Sequence, residues 1–433
     1  MIEFTKMNIQ EIYDIYLKHP IITTDSRNCP PESIFIALKG DSFNGNLYAS
    51  QAIEKGSAFA FVDELKYADG KQIFFVNDCL SMLQQLAKHH RRQLTIPVIG
   101  ITGTNGKTTT KELTAAVLSR KFKVLFTQGN LNNHIGVPLT LLKINASHQI
   151  AVIEMGANHR GEIKLLAEIA EPDYGVITNV GKAHLEGFGS FEGVIQTKSE
   201  LYDFIRKTNG KIFIHQENNY LQKTATGIDR ISYGETDGLY VTGKIIANNP
   251  YLTLSWRRAG VRMVVKTQLI GGYNLMNALA AAAIGSNFGV SMDEISNAIA
   301  KYTPQNNRSQ LTKTDKNTLI VDAYNANPSS MLAAVSNFGE MEVETKVVIL
   351  GDMLELGETT REEHQKVVDL IQKYAFNNVF LCGEHFKASK HAYTSFAKTE
   401  DLLDYIRQNP IENCYVLIKG SRGIKLEKTI ELL

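Results

Sequence analysis

Val98-Ile99-Gly100-Ile101-Thr102-Gly103-Thr104-Asn105-Gly106-Lys107-Thr108-Thr109 decides how the rest of the chain is read. The apolar run from Ile96 to Ile101 predicts a buried strand. A turn punctuated by two glycines follows, and Lys107-Thr108-Thr109 opens a helical pattern through Leu113, Val117 and Leu118. Strand, glycine turn and helix N-terminus together make a phosphate cradle. Backbone N–H groups without helical partners point at the anion, and the helix dipole adds positive potential. Lys107 can reach outer phosphates, and the Thr108 hydroxyl can face Mg²⁺. The loop Gly103-Thr104-Asn105-Gly106-Lys107-Thr108 is shorter than the full G-x-x-x-x-G-K-[ST] pattern, because Ile101 stands where that pattern has its first glycine.

The 433 residues suffice for two or three domains, and 43% hydrophobic with 21% charged content is ordinary for a globular protein. A net charge of +1 selects neither nucleic acid nor a membrane surface, so any anion must be bound locally. Cys29, Cys79, Cys382 and Cys414 are widely separated, which fits a reducing compartment and small core residues rather than a metal site. Met1 leads into polar residues with no basic start and apolar run, and no stretch is long enough to span a bilayer, so the expected location is the cytoplasm.

Alternating apolar runs and helical patterns predict an α/β protein of three domains. Residues 1–84 form a small α/β module with strands at 33–38, 58–62 and 73–76 and a helix at 46–55. Residues 85–309 form the phosphate-cradle domain, with further strands at 149–155, 174–180 and 211–215 and a parallel sheet between helices. Its later part, 239–269, alternates like antiparallel strands. It then enters a helix from Leu275 that Asn274 could cap. Asn277 lies one turn on, so the two amides could instead face one ligand edge. Residues 310–433 form a second α/β unit of Rossmann-like character, with strands at 318–323, 346–350, 378–382 and 414–418 and a last helix at 424–432.

Candidate chemistry collects where strands end. Glu154 closes an apolar strand and is a natural Mg²⁺ ligand. His184 follows another strand end and fits either a second metal and proton transfer or an ordinary hydrogen-bonded role. Phe191, Val194, Ile195, Lys198, Leu201, Tyr202 and Ile205 share helical spacing, which places Lys198 inside an apolar stripe. Desolvation there favours the neutral amine, which can add CO₂ to give a carbamate; the alternative is a lysine that snorkels past its neighbours. Asp322 and Asn325 close a strand near the N-cap and N1 pair Asn327-Pro328. In the first module, Thr24-Asp25-Ser26-Arg27 and the cluster from Gly40 to Asn46 read as turn chemistry.

These stretches resemble the Mur ligase family, the ATP-dependent amide-forming enzymes of peptidoglycan precursor synthesis. The likeness rests on the shortened loop Gly103 to Thr109, Glu154-Met155-Gly156-Ala157-Asn158-His159, Asp322 to Pro328, Leu350-Gly351-Asp352-Met353-Leu354-Glu355-Leu356-Gly357, and Lys419-Gly420-Ser421-Arg422, in the expected order. The resemblance implies that UDP-N-acetylmuramoyl-tripeptide and D-alanyl-D-alanine are joined at the expense of ATP through an acyl phosphate, by a monomer that neither enters membranes nor binds nucleic acid. It implies that Gly103, Thr104, Asn105, Gly106, Lys107, Thr108 and Thr109 hold ATP phosphates. Asn274 and Asn277 then lie beside the adenine, and Arg308, Asp322 and Asn325 contact ATP from the C-terminal side. Thr108 and Glu154 would serve one Mg²⁺. His184 and a carbamylated Lys198 would serve a second, and with Lys107 form the catalytic set. Ser26, Arg27, Asn133, Ser421 and Arg422 would touch the other substrates. Tyr273 stands where the family has histidine, Ser199 where it has glycine, and Asn44-Gly45-Asn46 where it has Asp-Gly-His. No Asn-Lys-x-Asp stretch supports a GTPase.

Overall fold

The computed structural model describes residues 7–304 and 308–433. Three sheets of mainly parallel strands follow one another along the chain. In the first, Ile22–Thr23, Ile34–Ile36, Phe59–Val62 and Ile73–Phe75 lie side by side and all parallel.

The second sheet has nine strands. Its order is Val261–Ile270, Tyr251–Arg258, Val241–Asn248, Asp229–Gly234, Lys211–His215, Tyr174–Ile177, Val98–Thr102, Ile150–Glu154 and Val124–Phe126. The first three pair antiparallel and the others parallel. Val98–Thr102 is buried throughout, as is Ile150–Glu154. Side chains alternate across such a strand, so each apolar run feeds two cores. Ile99, Ile101 and Val152 meet Leu113, Val117, Leu279 and Ile284 on one face. Val98, Ala151 and Ile153 meet Ile163, Leu166, Leu201 and Ile205 on the other. The register pairs Ile101 with Glu154 and Thr102 with Ile177, which brings three strand ends to one edge.

The third sheet runs Gln310–Lys313, Thr318–Asp322, Tyr415–Lys419, Lys346–Gly351, Asn378–Cys382 and Thr394–Phe396, with only its first pairing antiparallel. Asn327 caps Pro328–Glu340 through a capping box with proline at the helix start, as its spacing predicts.

The structure departs from the sequence reading at several elements, and strands Ile22–Thr23, Val124–Phe126, Gln310–Lys313 and Thr394–Phe396 add to those expected. Asn274 does not cap its helix but is the first residue of Asn274–Asn287, and its amide donates to Ile270 O at 2.8 Å. The predicted last helix is instead two 3₁₀ turns, Arg422–Ile424 and Leu426–Leu432, because Lys425 between them takes φ 61°. The helix Ile9–Lys18 and the strand Asp229–Gly234 were not anticipated, although Asn8 and Glu11 form a capping box that marks the former. Among the described residues no helix is long and apolar enough to cross a membrane. All four cysteines are free thiols.

Candidate functional site

A cavity of about 550 Å³ opens at the carboxyl edge of the second sheet and reaches across to the third. Its floor is the glycine loop. Gly103 has φ 143°, and a Cβ there would collide with the Thr178 hydroxyl; Gly106 has φ 77° and precedes the helix Lys107–Leu118. Both positions therefore exclude other residues. The loop is pinned from the neighbouring strand end. Thr178 Oγ1 donates to Asn105 O at 2.6 Å, Asn179 Nδ2 to the same oxygen at 2.9 Å, and Asn105 N to Asn179 Oδ1 at 3.0 Å. Lys107 Nζ curls back onto Gly103 O at 2.8 Å and Thr104 O at 2.9 Å, where an incoming phosphate would compete for it. Burial lowers its pKa to about 8 against the opposing pull of Glu154.

Beside the loop, Glu154 is 1% exposed. Thr108 Oγ1 lies 3.2 and 3.1 Å from its two oxygens, Asn132 Nδ2 donates to Oε1 at 2.8 Å, and Lys111 Nζ stands 3.4 Å from Oε2. Among the described residues no cluster of three His, Cys, Asp or Glu side chains could cage a metal. A hydroxyl and one buried carboxylate at a phosphate loop instead fit Mg²⁺, which keeps water and substrate oxygens in its shell.

Across the cavity, Asp322 and Lys419 are in register on adjacent parallel strands, and Lys419 Nζ donates to Asp322 Oδ2 at 2.6 Å. The Arg308 guanidinium stacks on the Tyr324 ring at 3.8 Å. Asn327 Nδ2 donates to Asn105 Oδ1 at 2.7 Å and so ties the helix start of the third sheet to the glycine loop.

Thr104 to Thr109, Glu154, His184, Asn274, Asn277, Arg308, Asp322, Asn325 and Asn133 all line this one cavity. Gly103 shapes it from behind. Asn274 and Asn277 bond each other, Nδ2 of Asn277 to Oδ1 of Asn274 at 2.8 Å, while Thr110 Oγ1 donates to Asn277 Oδ1 at 3.1 Å. Asn133 spends its Oδ1 on the backbone of Ile135 and Gly136.

Lys198 does not line the cavity. It is 2% exposed, and its Nζ lies 5.2 Å from the Phe188 ring centre. The stripe thus holds it inside rather than letting it snorkel. Burial, and then the charge of Lys107, lower its pKa to about 7. Burial also lowers the His184 pKa against the opposing Glu355 carboxylate.

Four expected substrate residues lie outside the cavity lining. Arg27 is exposed and forks onto Asp25, with Nε to Oδ1 at 2.9 Å and Nη2 to Oδ2 at 2.8 Å. Those bonds hold the Asp25 carboxyl down near 2. Ser26 is buried, and its carbonyl accepts from Lys55. The Ser421 hydroxyl is used locally, accepting from Leu354 N at 3.0 Å and donating to Ala326 O at 3.3 Å. The Arg422 guanidinium stands 5.9 Å from the centre of the Tyr324 ring. The sequence did not single out Lys111, Asn132, Asn179 or Tyr324 as site residues. Tyr324 stands inside the strand-end stretch Asp322 to Pro328, Asn179 at the end of the strand expected at 174–180, and Lys111 one turn beyond Lys107.

Comparison with known proteins agrees with this geometry. Residues 101–285 match the Mur ligase middle domain, and residues 307–422 match the Mur ligase glutamate ligase domain. The chain belongs to the Mur ligase family. Within it, the UDP-N-acetylmuramoyl-tripeptide--D-alanyl-D-alanine ligase of Bacillus subtilis (strain 168) is 34% identical over 467 residues, covering 100% of this chain and 98% of its own. MurF from Acinetobacter baumannii superimposes with TM-score 0.86 at 30% identity over 95% of this chain and 92% of that one. MurF ligase from Thermotoga maritima in complex with ADP gives TM-score 0.86 at 25% identity over 96% and 97%.

Proposed function

We propose that this chain is the ATP-dependent ligase that adds D-alanyl-D-alanine to UDP-N-acetylmuramoyl-tripeptide, releasing ADP and phosphate. The observation that carries it is the convergence on one cavity of the Lys107 loop, the Thr108–Glu154 pair and the Arg308, Asp322 and Lys419 side chains. Full-length similarity to ligases of that name supports the amine and the acid.

In this reading the tripeptide's free carboxylate attacks the γ-phosphorus of ATP. A carboxyl O–P bond forms, the bond to the ADP oxygen breaks, and an acyl phosphate results. The amine of D-alanyl-D-alanine then adds to the acyl carbon, and phosphate leaves as the amide forms. Like charges must be brought together at each step, so positioning and electrostatics supply most of the acceleration. Lys107 leaves Gly103 O and Thr104 O to meet the β- and γ-phosphates, and the loop N–H groups hold them. Mg²⁺, when bound, neutralises phosphate charge. Thr108 and Glu154 would hold one ion, and His184 would serve a second together with Lys198 once that lysine, buried beyond the cavity wall, is carbamylated. Asn274 and Asn277 form the nucleotide's base side, and Arg308, Asp322 and Asn325 close over it. Asn133 lies toward the tripeptide. The residues 1–84, with Ser26 and Arg27, receive the uridine end; 85–309 bind ATP; 310–433 supply the closing face with Ser421 and Arg422. The enzyme works as a cytoplasmic monomer.

Lys107→Ala tests the reading. Loss of ADP release in the presence of both substrates, by about a thousandfold, is expected from removal of a phosphate-binding charge. Unchanged turnover refutes it.

A further inference from the structure

His184 is where residues of the second and third sheets meet. Its Nδ1 contacts the carboxylate of Glu355. Glu355 belongs to the turn that follows the strand Lys346–Gly351. His184 has φ 49° and Glu355 φ 65°, so two non-glycine residues in the sparse left-handed region face each other. The turn is seated by Glu186 N donating to Glu355 O at 3.4 Å, and nearby Lys182 Nζ donates to Glu363 Oε1 at 2.8 Å. His184 lines the cavity and Glu355 does not, so the carboxylate stands behind the ring. Among the described residues nothing hydrogen-bonds His184 Nε2.

A carboxylate on one imidazole nitrogen fixes the proton there, sets the ring's orientation and leaves the other nitrogen's lone pair for a cation. We infer that Glu355 is a positioning residue that aims His184 Nε2 into the cavity, so that the second cation site is completed only when the turn of the third sheet seats against the second. This rests on the proposed metal role of His184. Strain at both φ values is consistent with a turn shaped for that contact rather than for its own stability. The side chain of Glu355 is 55% exposed, so no core packing requires a carboxylate at this position.

The test is equilibrium Mn²⁺ binding, read from the free-ion EPR signal, to full-length protein saturated with a non-hydrolysable ATP analogue. His184→Ala, Glu355→Ala, Glu355→Gln and the double alanine variant are compared, each checked for an unchanged thermal melt. The expected result is a weaker second ion in His184→Ala, a loss of about tenfold in Glu355→Ala, and no further loss in the double variant. Glu355→Gln keeps an acceptor oxygen for Nδ1–H and loses less than Glu355→Ala. If His184→Ala weakens Mn²⁺ while Glu355→Ala does not, or if the two losses add, the positioning role is overturned and the metal role stands. If His184→Ala leaves Mn²⁺ binding intact, the metal role falls, and the inference with it.

Discussion

Replacing Lys198 by methionine exposes the energetic consequence of burying an amine. The folded protein holds this group at a pKa of about 7, against 10.5 for a solvated lysine. Between those values the unfolded chain binds the proton and the native protein does not, so stability rises with pH. Below about pH 7 both states are protonated and the full penalty, about 5 kcal/mol, is present; it fades as pH approaches 10.5. Integration between pH 7.5 and 9.5 gives a gain of roughly 2 to 3 kcal/mol for the wild type that Lys198→Met cannot show. Trp256 is the single tryptophan, is 1% exposed and lies in the nine-stranded sheet on which the Lys198 helix packs, so its fluorescence reports unfolding of the relevant unit. Urea titrations of both proteins at the two pH values, in CO₂-free buffer, measure the difference. Bicarbonate added at the higher pH is expected to stabilise the wild type more than Lys198→Met, because Lys198 then adds CO₂ beyond any shared neutral amine such as Lys107. Parallel pH dependence in the two proteins would refute a buried neutral Lys198. A bicarbonate effect of equal size in the two proteins would refute the Lys198 carbamate.

Other substitutions probe the rest of the cavity. Glu154→Gln removes the carboxylate that faces Thr108 and leaves the buried Lys111 Nζ paired with Glu112 alone, 3.7 Å away, so stability falls by about 2 kcal/mol and half-maximal Mg²⁺ rises, as denaturation and Mg²⁺ titration of ADP release will show. Lys419→Met leaves Asp322 without its 2.6 Å partner; a loss of about 2 kcal/mol is expected, with a raised KM for ATP measured at fixed tripeptide. Asn327→Ala removes a helix cap worth about 1 kcal/mol together with the bridge to Asn105, so its KM for ATP rises several-fold while the melt shifts little.

Local signals carried far in this chain. The glycine loop, the buried strand ending at Glu154 and the cap at Asn327 each depend on a few consecutive residues, and each sits where its spacing places it. Lys198 was legible for the same reason, since helical periodicity alone puts it among apolar neighbours. Contacts between distant strands were not legible. The Asp322–Lys419 pair spans 97 positions and follows from two strands being sheet neighbours, an order the residue pattern does not encode. Lys111 looks like any helix lysine until the strand bearing Glu154 is laid beside it. Asn274 shows the opposite failure: its residue type suits a cap, but Ile270 O claims the amide from the preceding strand.

The most direct test of the account supplies the purified protein with ATP, Mg²⁺, UDP-N-acetylmuramoyl-tripeptide and either D-alanyl-D-alanine or glutamate, and resolves the products by mass. ADP, phosphate and the pentapeptide conjugate are expected with the dipeptide alone. ADP release coupled to glutamate, or no conjugate with D-alanyl-D-alanine, would contradict it.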